Sequence, residues 1–298
     1  MTNQTNRQIG TVIRIALPIL GLLAVHAILI TFEFVSGSNA MGDVYFAYEP
    51  WMNWIFATGN LLGITHAWVY PYPALIPMAI SAGFGFGNFT AGWLLMITLL
   101  NIAALLAILL NPRFRKPRFA AVFWLLALLA LGPVSISRID SVSVAIAIIA
   151  IALLANAKLT WSTALLTLGA WIKIWPVAIL AAQFVADKVN RWRIAAIAIA
   201  TSAGILFFGL IAGGNQNLLS FILYQTDRGL QVESPAASWW VWRALQNFED
   251  SAIYYDDKLF TYQVSGPGVA ETSSLMTLLM VLAVAITLVL IWLLARRG

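Results

Sequence analysis

Trp171-Ile172-Lys173-Ile174-Trp175-Pro176 sits in the middle of residues 161–186, a run otherwise long and apolar enough to cross a bilayer. Proline removes one helical hydrogen bond and turns the preceding residue away from helical backbone. An ammonium group at that depth is expensive and usually functional. The stretch therefore reads as a break, and whether 161–186 crosses or turns back decides the topology of the chain.

Composition gives the setting. Of 298 residues, 61% are hydrophobic and 10% charged, with a mean hydropathy of +0.86. Soluble domains carry roughly 25% charged residues, so this surface is expected to lie in lipid. Apolar runs at 11–34, 91–110, 119–134, 141–155, 194–212 and 275–294 approach or reach the ~20 residues that span ~30 Å of hydrocarbon. Residues 74–86 are apolar but short, and broken by Pro77 and glycines. Two polar stretches, 36–73 and 213–274, are expected to be outer loops of one integral-membrane domain, 1–298. The N-terminal stretch lacks a small-residue cleavage site and reads as a retained first span. There are no cysteines and two histidines, His26 and His66, so no metal site and no cofactor is expected. The net charge of +5 points to topology rather than to nucleic acid.

Charge arithmetic tests the break. If 74–86 and 161–186 each enter and leave on one side, most cations face inward. They are Arg7, Arg14, the four in Asn111-Pro112-Arg113-Phe114-Arg115-Lys116-Pro117-Arg118, Lys158, Lys188, Arg191, Arg193, Arg296 and Arg297, twelve of the 17. Eleven of the 12 acids then lie outside or at the outer boundary, Asp187 being the exception. Counting both segments as full spans puts the 111–118 cluster outside, against the positive-inside rule. The expected fold is an all-α polytopic membrane helix bundle, with broken or re-entrant helices and interfacial helices in the first outer loop. Irregular backbone at membrane depth must be buried in protein or line a wet cavity, so a polar cavity opening outward is expected. Glu33, at the outer end of the first span, is expected to reach water, with His26 on roughly the same helix face.

Five cations stand outside the inner collar: Arg138, Lys173, Arg228, Arg243 and Lys258. Arg138 and Lys173 fall at helix ends or breaks, where charge and exposed N–H groups together hold phosphate. The bland alternative pairs Arg138 with Asp140 and lets Lys173 snorkel to the interface. Asp43, just past the first span, is either a catalytic carboxylate or an ordinary acid at a helix end. His66 is either a proton carrier or a plain loop histidine. Glu49 and the acids of 249–257 read as solvated loop charge. Trp51, Trp54, Trp68 and Trp239 suit either a sugar face or the aromatic belt. An acid, fixed cations and flat aromatic walls suit a sugar donor carried on a lipid phosphate, with a base for the acceptor hydroxyl and cations for the leaving phosphate. No Gly-rich nucleotide loop is present.

Asp43-Val44-Tyr45, Gly59, Tyr70-Pro71-Tyr72-Pro73, Arg138-Ile139-Asp140, Lys173-Ile174-Trp175-Pro176 and Gln225-Thr226-Asp227-Arg228-Gly229-Leu230-Gln231, in this order, resemble actinobacterial glycosyltransferase family 87. These are GT-C-type membrane mannosyltransferases that use polyprenol-phosphate-mannose. Among the candidates, His66 is the second catalytic residue, Lys173, Arg138 and Arg228 are those for the donor phosphate, and Tyr45, Tyr70, Tyr72 and Asp140 those for substrate. The resemblance implies a catalytic aspartate, which maps onto Asp43. It implies inversion to an α-mannoside, a glycolipid or lipoglycan acceptor, an active face outside the plasma membrane, and partners limited to these lipids, with no nucleic acid. Family architecture also implies further spans beyond Gly298, with an Asn-Lys…Ser-Pro-Gln segment, so the chain is expected to be truncated or a fragment.

Three rival readings remain open at this level. Another lipid-linked sugar, such as arabinofuranose, would use the same machinery. A transporter or flippase would explain broken helices but should show internal repeats, and none is convincing. A non-catalytic subunit or scaffold would be indifferent to Asp43→Asn.

Overall fold

The computed structural model describes residues 2–226, 229–257 and 259–297. In chain order its helices begin with α1 (Thr2–Ser36), α2 (Glu49–Thr58), α3 (Leu75–Ala82), α4 (Phe89–Leu109) and α5 (Pro117–Leu131). There follow α6 (Val134–Ser137), α7 (Asp140–Ala155), α8 (Leu159–Ile172), α9 (Val177–Ala186) and α10 (Arg191–Ile211). Then come α11 (Ser220–Thr226), α12 (Ser238–Leu245), strands β1 (Ala252–Asp256) and β2 (Thr261–Ser265), and α13 (Val269–Arg297). Among the described residues, four helices are long and apolar enough to cross a bilayer: α1, α4, α10 and α13. The most apolar part of α13 averages a hydropathy of 3.0 with none of it buried against the rest of the chain. Water cannot cover that surface, so this is a membrane protein.

The break at Lys173 is present. Lys173 is extended (φ −149°, ψ 131°), which ends α8 at Ile172, and Pro176 caps the start of α9. At 1.5 Å per residue α8 and α9 are about 21 and 15 Å long, each short of a ~30 Å core. They lie antiparallel: Gln183 Nε2 on α9 donates to Thr163 Oγ1 near the start of α8 (3.4 Å). Arg193, at the start of α10, donates to Thr160 Oγ1 (3.0 Å). Residues 159–186 thus leave at the end where they entered. The other interrupted segment, α3, packs on the start of α4 at Gly92. A Cβ at Gly92 would stand 2.8 Å from both the Ser81 carbonyl oxygen and the Phe84 ring, so only glycine allows this approach.

A close-packed cluster lies beneath the first long loop. Met41, Val44, Tyr48, Trp93, Ile97, Ile136 and Ile139 are fully buried there. Trp93 Nε1 donates to the Ile136 carbonyl (3.0 Å) and Ser137 Oγ to the Ala40 carbonyl (2.9 Å), which ties α4 and α6 to the loop. Glu33 does not reach water. It is buried, accepting from Ser38 Oγ (2.5 Å) and the Met41 N–H (3.0 Å), and so fastens the loop to the end of α1. His26 is buried between α1 and α4, with Nδ1 2.8 Å from Thr98 Oγ1.

The second polar stretch closes over the first. Ser220 Oγ accepts from the Trp68 N–H (2.9 Å) and donates to the Trp68 carbonyl (3.2 Å). Asn217 Nδ2 donates to the Thr65 carbonyl (2.9 Å). Farther on, the bundle acquires an element beyond the all-α expectation. β1 and β2 form an antiparallel hairpin registered from Ala252↔Ser265 to Asp256↔Thr261. Residues 230–232 run beside β2, with Val232 N donating to the Tyr262 carbonyl and Val264 N to the Leu230 carbonyl, both 3.0 Å. Leu230, Ala237, Trp240 and Val264 form a small core of their own under the hairpin.

Candidate functional site

Asp43 opens a π-helical turn, Val44–Tyr48, that runs directly into α2. The widened turn brings residues five apart onto one face, and Tyr48 Oη donates to Asp43 Oδ2 (3.2 Å). The Tyr48 hydroxyl oxygen in turn accepts from the Ile139 N–H (2.9 Å). Tyr48 is fully buried against Trp93, ring centroids 4.9 Å apart. This phenol is a fixed strut between Asp43 and the start of α7.

Arg138 stands in the extended link between α6 and α7. Its Nε lies 3.3 Å from Asp43 Oδ2, a charge contact without hydrogen-bond alignment. Its Nη2 donates to Glu233 Oε1 at 2.5 Å. Two positions on, Asp140 pairs with Lys173 from the helix break (Nζ–Oδ2 3.3 Å), and the ammonium sits 4.9 Å above the Tyr70 ring. The bland pairing of Arg138 with Asp140 is therefore not the one adopted, and Lys173 does not snorkel away. Five charges from four distant segments alternate in sign.

Burial dominates the titration of Asp43. It pushes the carboxyl above its ordinary value, although Arg138, the Tyr48 hydroxyl and Lys173 all pull it down, and Glu233 adds to the rise. Burial also works against the charge of Arg138, but Asp43 and Glu233 outweigh it and hold the guanidinium protonated beyond its usual range. Burial raises the Tyr48 phenol well above normal, so it stays a donor at neutral pH.

Two cavities meet at this network. A chamber of about 730 Å³ is walled by Asp43, Phe46, Arg138 and Glu233, with Tyr255, Phe260 and Tyr262 contributed by and beside the hairpin. A second, largely apolar groove of about 460 Å³ runs from Asn101 past Trp124, Leu128 and Val144 to Arg138, Asp140 and Ser141. Arg138 and Glu233 border both. A third cavity, about 690 Å³ between α8, α9 and α10, is bounded almost wholly by apolar side chains. It holds none of these charges, and marks the notch left by the broken helix.

Of the residues expected from sequence, Asp43, Arg138, Lys173, Asp140 and Tyr70 come together. Three others stand apart. Tyr45 points the other way, its hydroxyl 3.8 Å from Met41 Sδ, because two steps along a helix put it on the far face. Tyr72 donates to the Ile205 carbonyl of α10 (2.5 Å) and serves as a tie between loop and bundle. His66 is exposed, beside Thr65 Oγ1 (3.1 Å) and edge-on to Trp54, and does not border the chamber. Arg228, with Asp227 and Lys258, lies outside the described residues. Arg243 is taken up by Asp250 (2.7 Å), so that acid is not free loop charge.

The sequence reading missed Tyr48, Glu233 and the hairpin aromatics. Tyr48 falls five residues after Asp43, off its face in an α-helix and on it only in a π-turn. Glu233 lies 95 residues from Arg138, with no local pattern to connect them. Among the described residues, no three histidines, cysteines or carboxylates converge as a metal-ligand set. No family model, no curated protein and no solved structure matches the chain.

Proposed function

We propose that the chain is a GT-C-type membrane glycosyltransferase, moving mannose from a polyprenyl-phosphate donor to an extracytoplasmic glycolipid or lipoglycan. One observation carries this reading. A carboxylate with a raised pKa lies beside a cation that borders both a polar, aromatic-walled chamber and an apolar groove. A lipid-borne sugar phosphate needs that combination: a dry path for the tail, positive charge at the phosphate and room for a sugar.

In this reading Asp43 takes the proton of the acceptor hydroxyl as its oxygen bonds to the sugar's anomeric carbon. The bond from that carbon to the phosphate oxygen breaks on the opposite side, which inverts the configuration. Arg138 and Lys173 stabilise the charge gathering on the leaving lipid phosphate. Asp140 holds Lys173 in place, and Tyr70 supports it from below. The resemblance of the Asp43, Arg138 and Lys173 motifs to family 87 points the same way and names the sugar.

The test is mannosyl transfer from polyprenol-phosphate-mannose in membranes carrying the chain, wild type beside Asp43→Asn at equal insertion. Transfer lost in the variant supports Asp43 as the base. Transfer unaffected by the variant removes Asp43 from that role and makes His66 the next residue to substitute. Transfer only from a different lipid-linked sugar keeps the class and changes the donor.

A further inference from the structure

At the end of α4 remote from Asp43, the chain turns through Asn111 and starts α5 at Pro117. The turn is rigidly set: Asn111 is buried, its Nδ2 donates to the Ala152 carbonyl (2.8 Å), and its Oδ1 accepts from the Arg113 N–H (3.0 Å). On this base stand four exposed cations, Arg113, Arg115, Lys116 and Arg118. Among the described residues none of their side chains has an ion pair or hydrogen bond. The first turn of α5 contains no acid, and its cap residue Lys116 makes no side-chain cap. Other cations at this end are engaged differently: Arg193 bonds Thr160, Arg191 lies over the Phe184 ring and Arg296 over Trp292.

The cations are also not spread on an open surface. Arg115, Lys116 and Arg118 rim a cleft of about 630 Å³ whose remaining wall is apolar: Ile15 of α1, Leu109 and Leu110 at the end of α4, and Phe119 of α5. Leu110 and Phe119 are 59% and 71% exposed, at the depth where apolar helices meet their charged ends. A free phosphate would satisfy the rim and gain nothing from that wall. A molecule with a phosphodiester above an acyl chain satisfies both.

We propose that this cleft binds the headgroup of an anionic phospholipid, with the first part of an acyl chain laid against Ile15, Leu110 and Phe119. Like charges crowded within six residues repel, and a phosphodiester removes that repulsion. The site is independent of the transferase reading and lies about 30 Å from it, the length of α4.

The experiment is lipid retention by the purified full chain, read by native mass spectrometry. Phosphatidylglycerol and phosphatidylcholine of identical acyl chains are added in parallel. The expected result is phosphatidylglycerol retained at least about tenfold more tightly, and a loss of that preference in Arg115→Gln/Lys116→Gln/Arg118→Gln. Arg115→Lys/Arg118→Lys, which keeps the charge, should retain it, separating charge from misfolding. Equal retention of the two lipids by the wild type would overturn the proposal, as would a preference that survives the neutral variant. Displacement of the lipid by millimolar inorganic phosphate would also overturn it, since the apolar wall would then contribute nothing.

Discussion

The two ends of this bundle use the same kinds of cation in opposite ways. At one end Arg138 and Lys173 are each matched by carboxylates far away in sequence, Asp43 and Glu233 for the first and Asp140 for the second. At the other, four cations within six residues face no carboxylate among the described residues. The difference lies in what fixes position. A partly buried network has one working geometry, so removing a single member leaves its partners stranded. An exposed cluster on one turn acts by summed charge and tolerates exchange of one cation for another. Single substitutions should therefore be severe at the Asp43 end and mild at the basic end.

Asp43→Asn should have the largest effect. It keeps the shape and the contact with Tyr48 and leaves Arg138 paired with Glu233, but cannot take a proton, so transfer should fall by about 10²–10⁴-fold with only a small loss of thermal stability, followed by product formation in membranes. Retained transfer would break the comparison at its centre.

Arg138→Gln should come next, with effects on rate, stability and pH. It strands the partly buried Asp43 and frees Glu233. The cost should be about 1–3 kcal/mol, reduced from a fully buried pair because a third of Arg138 is exposed, and visible as a lower melting temperature. Asp43 serves as base only when ionised, so wild-type activity should fall on acidification at a pH above the ordinary carboxylate value. Arg138 lowers the Asp43 pKa, so its removal should move that acid limb to still higher pH. A limb that moved downward would contradict the assigned cause.

Lys173→Gln should be smaller. Its ammonium meets charge that gathers on the phosphate as the bond breaks, so kcat should fall about tenfold with less change in donor KM, the loss of one charge-assisted contact. Tyr72→Phe should be smallest: about 1 kcal/mol of stability from one lost hydrogen bond and no change in donor KM. A change in KM without a change in melting temperature would return Tyr72 to the substrate.

Much of the frame was legible in the chain. Pro176 beside Lys173 announced the break, and the 111–118 cations indicated which segments turn back. The Arg193–Thr160 and Gln183–Thr163 bonds show the turn-back of 159–186. The site was legible in part. Arg138 and Lys173 stood out because such charge is costly beside lipid, and Asp43 through the family resemblance. Tyr45 and Tyr72 were misplaced because being near Asp43 or Tyr70 in sequence says nothing of which face a side chain takes.

By itself the sequence determined a helical membrane protein, its apolar runs and the break at Lys173. Those properties rest on transfer free energies and backbone restrictions, which act residue by residue or over one helical turn. Only the tertiary structure decided the partners: Arg138 with Asp43 and Glu233 rather than Asp140, Tyr48 in place of Tyr45, and the hairpin beside the chamber. Such pairings depend on where segments 95 residues apart come to rest, and no local preference encodes that. They are set by packing beneath the first loop, where a π-turn and a buried tyrosine aim the carboxylate.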